Sequence, residues 1–154
     1  MADDRIRRSF SVPVAPDEAF RVFTQDFSRW WPAEYTWSGP VLQWIGLEPH
    51  PGGACFERGP HGFRCDFGRV LQWHPSERLV LSWQISPSRT PEPDPERASE
   101  IEMCFLAEET QGTRVEFEHR GFSRHGSGAE AYRAAMASAQ GWDYILERYR
   151  RTLA

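Results

Sequence analysis

The chain has no lysine and no asparagine, so all 18 of its basic residues are arginine. Lysine and asparagine use A-rich codons, and their absence points to GC-rich, bacterial coding rather than to a mechanism. Cysteine is scarce. Cys55, Cys65 and Cys104 are odd in number and widely spaced, which excludes a disulfide framework and a paired Cys-x-x-Cys metal site. This usage suits a reducing cytoplasm. No apolar run approaches the roughly 20 residues of a membrane span. The opening Met1-Ala2-Asp3-Asp4-Arg5 leads into no apolar stretch of the secretory kind, so no leader is expected. Basic excess is lacking too: the net charge is -4, which leaves no electrostatic footprint for nucleic acid. Phosphate-cradling glycine loops, a nucleophile elbow and a G-x-G-x-x-G fingerprint are all missing.

What is present is aromatic. Seven Trp, ten Phe and four Tyr make up 14 % of 154 residues. The length suits a single domain spanning residues 1–154, with room for one real core.

Hydrophobic periodicity divides the chain. Ile6, Arg8, Phe10 and Val12 alternate with polar neighbours, which predicts a strand ended by Pro13. Pro16-Asp17-Glu18 then reads as a helix start, with proline and acids in the first turn. A second short helix over Phe27–Trp31 stops at Pro32. Strands are predicted at Val41–Glu48, Ala54–Arg58, Phe63–Trp73, Leu79–Ile85, Ser99–Ala107 and Thr113–Gly121. The proline-rich stretch 86–97 reads as one surface loop. From Ser127 to Thr152 the period changes. Tyr132, Met136, Ala139, Trp142, Leu146 and Tyr149 recur at three- and four-residue steps, which predicts one long amphipathic helix.

The turns suggest a register. Pairing Arg58 with Phe63 sets Phe56 opposite Cys65 and Ala54 opposite Phe67. Pairing Trp73 with Leu79 sets Leu71 opposite Leu81 and Arg69 opposite Trp83. A five-residue loop at Glu108–Gly112 sets Phe105 opposite Val115, Met103 opposite Phe117 and Ile101 opposite His119. Apolar side chains then share one face. Glu57, Arg64, Asp66, Gln72, Ser82, Glu100, Glu102, Glu116 and Glu118 share the other. Seven strands at about 4.8 Å spacing are wider than one helix of about 10–12 Å, so the sheet must curl around it. The expected fold is α+β of the helix-grip kind. A curled antiparallel sheet of about seven strands wraps a long C-terminal helix, and two short N-terminal helices close one end. Such a sheet leaves an internal cavity, which aromatic side chains line.

The residues also carry a resemblance. The segments Ser11–Phe20, Arg29-Trp30-Trp31-Pro32, Pro51-Gly52-Gly53, Pro75–Trp83, Gly112-Thr113-Arg114-Val115, His119-Arg120-Gly121-Phe122 and Gly141-Trp142 cover nearly the whole chain in order. Together they resemble the START-like superfamily, also called SRPBCC or birch-allergen-like. Within it they most resemble the branch of the activator of the heat-shock protein 90 ATPase. The resemblance implies the helix-grip fold and a range of roles: lipid carriage, polyketide cyclisation and aromatisation, hormone reception and co-chaperone activity. It supplies no universal catalytic motif.

The leading expectation is a noncatalytic, cytoplasmic protein that binds a small hydrophobic molecule, aromatic or lipid-like, in the cavity. The expected lining takes Phe56, Arg58, Phe63, Cys65, Phe67, Trp83, Met103, Phe105, Phe117 and His119 from the inward face of the sheet. Met136 and Trp142 come from the helix. Trp31, Trp37 and Trp44 come from the segment over the mouth, together with Trp30. These lid tryptophans either plug the interior or stack a flat ligand. An enzyme of the cyclase, aromatase or hydrolase kind is the alternative. In it His119 serves as acid/base with an inward Arg58 or Arg69, against a reading of His119 as a satisfied structural histidine. A chaperone partner is a further alternative, implied by the resemblance alone. Cys55 and Cys104 are expected to face outward. The acidic rows are expected on the solvated face, balanced by Arg64 and Arg114. No metal, cofactor, nucleic acid or membrane is expected: His50, His61 and His74 sit at turns without ligand spacing.

Overall fold

A computed structural model describes residues 4–154. Strand β1 (Arg5–Val12) is followed by helices α1 (Pro16–Thr24) and α2 (Phe27–Trp30). Two short 3-10 turns at Ala33–Tyr35 and Gly39–Val41 lead to β2 (Trp44–Leu47). Strands β3 (Ala54–Arg58), β4 (Arg64–His74), β5 (Arg78–Trp83), β6 (Ser99–Ala107) and β7 (Thr113–Arg120) complete one antiparallel sheet. Its order is β1-β7-β6-β5-β4-β3-β2. Helices α3 (Ala129–Met136) and α4 (Trp142–Leu153) close the chain.

The expected single C-terminal helix is therefore two. Residues 137–141 form the joint, and Ala139 is exposed there rather than on the buried stripe. Gly141 permits the joint: a Cβ at this position would collide with the Met136 carbonyl. Tyr132 and Met136 on α3, and Trp142, Leu146, Tyr149 and Leu153 on α4, remain buried as the periodicity requires.

Register follows turn length and bulges. The β6–β7 ladder pairs Phe105 with Val115, Met103 with Phe117 and Ile101 with His119. Trp73 pairs with Leu79, but an irregularity past Val70 sets Val70, not Leu71, opposite Leu81. The β3–β4 ladder is one residue out of the expected register. Arg58 pairs with Arg64, Glu57 with Cys65 and Phe56 with Asp66, and an irregularity past Phe56 then sets Cys55 opposite Gly68. The connecting loop is longer than anticipated because Pro60–Gly62 forms its own 3-10 turn. Since side chains alternate with period two, the slip exchanges faces. Glu57 and Cys55 turn inward, and both are fully buried. Phe56 turns to the side of Trp44 and Arg64, with Trp44 at 5.0 Å and the Arg64 guanidinium 3.9 Å above its ring.

The inner face of the sheet is filled unevenly. At one end Phe20 and Phe23 of α1 meet Trp73, Phe105 and Tyr149 with ring centroids 5.0–6.4 Å apart. Trp30 packs on Phe23 and Tyr149 and donates its indole N–H to the Val22 carbonyl. Tyr149 ties α4 to α1 through a 2.6 Å bond to the Ala19 carbonyl. This end is solid aromatic core. The other end, below the α3–α4 joint, is hollow.

The outer face carries the acidic rows, and their principal partner is Arg120. It reaches Glu100, Glu102 and Glu118 at 3.3, 2.8 and 3.0 Å. Arg78 also binds Glu102. Burial alone would raise Glu102 and Glu118, but bonds from Arg78, Arg7 and Arg120 outweigh it and hold both below the usual carboxylate range. Arg114 meets Glu116 as expected, whereas Arg64 turns to Asp66 instead.

Candidate functional site

The hollow end is a cavity of about 480 Å³, open on one side. Its floor is Phe67 of β4, Trp83 of β5, Trp31 after α2 and Ile145 of α4. One wall, reaching the mouth at the exposed Ala135, is Tyr132, Ala135 and Met136 of α3 with Ser138, Gln140 and Gly141 of the joint. The rim comes from Glu34, Tyr35, Thr36 and Trp37, and from Ile85 and Arg89 of the β5–β6 connection. Ile45 and Glu57 close the side towards β2 and β3. Ligand cavities commonly run from about 300 to 1,000 Å³ and are mostly apolar with a few polar groups. This one has both attributes.

The aromatic surfaces are locked. Trp31 packs on Phe27, Trp83 and Trp142 with centroids 4.9, 6.2 and 6.0 Å apart. Trp83 donates its indole N–H to the Tyr132 hydroxyl at 2.7 Å, and that hydroxyl donates to the Ile85 carbonyl at 2.9 Å. Burial pushes the Tyr132 phenol up to about 12. The Arg89 guanidinium covers the outer face of this ring at 4.3 Å. Trp37 stands at the rim, 36 % exposed, and donates its indole N–H to the Arg89 carbonyl at 2.9 Å.

Glu57 is the buried charge of the cavity, 1 % exposed. Its carboxylate accepts the Trp37 N–H at 3.0 Å, the Ser38 N–H at 2.8 Å and the Ser38 hydroxyl at 2.7 Å. Sequence parity puts Glu57 on the solvated face. Its inward aim follows from the β3–β4 slip and carries no local sequence signal.

Five of the expected lining residues meet at this cavity: Trp31, Trp37, Phe67, Trp83 and Met136. Met103, Phe105, Phe117 and Trp142 are fully buried elsewhere in the core. Phe56 and Trp44 pack together on the opposite face of the sheet. Phe63 is 43 % exposed and Cys65 is half-buried. Arg58 and Arg69, expected inward, are both exposed, because the slip and the bulge reverse their parity. Cys55, expected outward, sits in the core, where burial pushes its thiol far up.

His119 points inward, as its pairing with Ile101 requires, but it lies behind the floor. Its Nδ1 accepts the Trp142 indole N–H at 2.9 Å, and its Nε2 lies 2.7 Å from the Ser99 hydroxyl. The same hydroxyl lies 2.8 Å from His125 Nε2. An indole only donates, so His119 Nδ1 is the acceptor, and the neutral ring carries its proton on Nε2, facing Ser99. Trp142 donates to His119, His119 Nε2–H donates to the Ser99 hydroxyl, and that hydroxyl also meets His125 Nε2. The His119 imidazole is neutral in this arrangement, because the nitrogen that accepts the indole holds no proton. Burial, reinforced by His125, pushes His119 well below its ordinary value. Burial also lowers His125, with Arg97 acting in the same direction and Glu92 and Asp4 opposing. Both ring nitrogens of His119 are bonded, whereas His125 Nδ1 is buried without a partner among the described residues; the arrangement is a structural network behind the floor rather than an acid/base poised at the cavity.

Comparison with known proteins places the geometry in context. No curated protein sequence matches the chain. Among solved structures, an anthrahydroquino-gamma-pyrone synthase is 32 % identical, with 98 % of this chain and 99 % of that one covered and a TM-score of 0.68. The self-sacrificing resistance protein CalC from Micromonospora echinospora is 26 % identical, with 98 % and 94 % covered and a TM-score of 0.66. A protein from Nitrosomonas europaea shares the fold at a TM-score of 0.70 and 16 % identity, with 99 % and 96 % covered. The family model for activator of Hsp90 ATPase homolog 1-like proteins matches residues 13–154. A match over that span, on a curled seven-stranded sheet closed by a C-terminal helix, shows that the chain belongs to the activator of Hsp90 ATPase homolog 1-like family, within the START-like helix-grip superfamily.

Proposed function

We propose that the protein binds a planar, mostly apolar small molecule of the polycyclic aromatic class in the cavity below the α3–α4 joint. The observation that carries this reading is the lining itself. Trp31, Phe67 and Trp83 are held in place by packing and by the Trp83–Tyr132 bond, and they border about 480 Å³ of space. Fixed aromatic surfaces favour offset or edge-on contact with a flat ring system. Rigid walls also lower the entropic cost of binding. Glu57, Gln140 and the rim residue Arg89 offer polar partners for hydroxyl or carbonyl substituents. The similarity to a synthase named for an anthrahydroquinone-derived pyrone, along nearly the full length of both chains, supports a ligand of this shape.

The experiment is native mass spectrometry after incubation with a panel of dihydroxyanthraquinones, smaller bicyclic phenols and fatty acids. Tryptophan fluorescence quenching measures affinity. The expected result is one-to-one binding of tricyclic phenols in preference to fatty acids. Absence of binding across the panel, or a preference for flexible chains, contradicts the reading. The synthase similarity also favours a second reading, in which the bound molecule is converted. In that case the groups that face the ligand are Glu57, Tyr132 and Arg89, not His119. A mass change in the ligand recovered from the complex would establish it.

A further inference from the structure

The rim segment of residues 33–41 contains no buried residue, yet it covers the cavity with two aromatic side chains. Tyr35 and Trp37 are 42 % and 36 % exposed. A segment with so little buried apolar surface belongs to the low-stability end of a fold. Tyr144 of α4 meets it with an edge-on ring contact to Tyr35 at 5.4 Å and a hydroxyl bond to Glu34 at 3.2 Å, and its other attachments to the body fall into two kinds.

The outer attachments are solvent-exposed. Trp37 Nε1–H donates to the Arg89 carbonyl at 2.9 Å, and the Tyr35 hydroxyl donates to the Gln140 carbonyl at 2.7 Å. Exposed bonds of this sort exchange readily with water and contribute little net stability. The inner attachment differs. The Glu57 carboxylate, 1 % exposed, takes three hydrogen bonds from Trp37 and Ser38, all that it makes among the described residues. No cation pairs with it among the described residues. A buried carboxylate is tolerated only when hydrogen-bonded, and bonds to a charged group are about twice as strong as neutral ones. The rim backbone at 37–38 is therefore pinned from inside, while the ring-bearing side chains are held from outside by exposed bonds and, for Tyr35, by the Tyr144 ring.

The geometry points to an aromatic flap over the cavity. Glu57 is its pivot, and the Trp37–Arg89 and Tyr35–Gln140 bonds are latches that release to admit a ligand. Glu57 is a positioning residue in this account: it acts through the flap backbone. The admission step rests on the binding reading above, whereas the flap and its pivot do not.

The test is amide hydrogen exchange on the ligand-free protein, joined to stopped-flow uptake of quinizarin (a dihydroxyanthraquinone). Glu57→Gln removes the charge and leaves a donor amide facing the Ser38 donors. The Trp37 and Ser38 amides should then exchange at least about tenfold faster, with β6 and β7 unchanged. Ser38→Ala, which removes one of the three bonds, should give a smaller acceleration at the same two amides and serves if Glu57→Gln does not fold. Tyr35→Phe should speed both uptake and release of quinizarin severalfold and leave the Trp37 and Ser38 amides protected. Unchanged exchange at Trp37 and Ser38 in both pivot variants overturns the proposal, as does uniform acceleration through the sheet. Unaltered quinizarin kinetics in Tyr35→Phe overturns the latch. A wild-type protein that takes up no dye but shows the exchange pattern overturns the binding reading and keeps the flap.

Discussion

Ser99→Ala is the sharpest perturbation of the interior. Ser99 is fully buried, and its hydroxyl joins two buried imidazoles at 2.7 and 2.8 Å. Alanine fits the same space, so packing changes little and the hydrogen bonds dominate the effect. The substitution leaves His119 Nε2–H without an acceptor and His125 Nε2 without a partner. A buried polar group left unsatisfied costs about 1–3 kcal/mol. Two such groups give a loss of roughly 2–6 kcal/mol, a large part of the 5–15 kcal/mol typical of a domain. The assay is urea unfolding with the slope held constant, so that a shifted midpoint reports stability.

The same network fixes a pH dependence. Both imidazoles are depressed in the folded state, so below the ordinary value of about 6.5 the unfolded chain binds more protons. Stability should be fully present above that pH and fall as the pH drops below it, towards the depressed folded values. A Ser99→Ala protein within about 0.5 kcal/mol of wild type, or wild-type stability flat between pH 7 and 5, would refute the buried network from Trp142 to His125.

Two further outcomes follow from other parts of the fold. Arg120→Ala should cost about 1 kcal/mol, less at high salt, because its three carboxylate partners lie on a partly solvated face. Carboxyl titration by NMR should then show Glu102 and Glu118 moving up towards ordinary values. Gly141→Ala should destabilise by about 2 kcal/mol or more, since the new methyl meets the Met136 carbonyl. Thermal unfolding measures the loss, and amide exchange should locate it at the α3–α4 joint.

The sheet was legible wherever a short turn locked the register. Glu108–Gly112 leaves no slack, so the inward set of β6 and β7, His119 included, follows from alternation alone. Between β3 and β4 the same logic fails by one residue. The Pro60–Gly62 turn lengthens the loop and bulges reset the parity, so Glu57, read as solvent-facing, becomes the buried charge of the cavity. Gly68 marks only the irregularity beyond Phe56, where its backbone meets the Ser82 carbonyl too closely for any side chain. In the C-terminal segment the apolar spacing runs unbroken through the joint, and only Gly141 marks the break. Ser99 and His125 had no pattern to betray them. Their roles arise from partners 20 and 26 residues apart, which three-dimensional packing alone brings together.

The central claim is that the hollow end of the grip is a ligand site. It is tested most directly by filling it. Ala135 lines the cavity and is exposed at its mouth, so Ala135→Trp can obstruct it without disturbing the core. Quinizarin binding, followed by tryptophan quenching and native mass spectrometry, should be one-to-one in the wild type. It should be weakened at least about tenfold in a variant of unchanged thermal stability, the loss expected when a site that buries most of its ligand is blocked. Equal binding by the two proteins would place the ligand elsewhere and contradict the account.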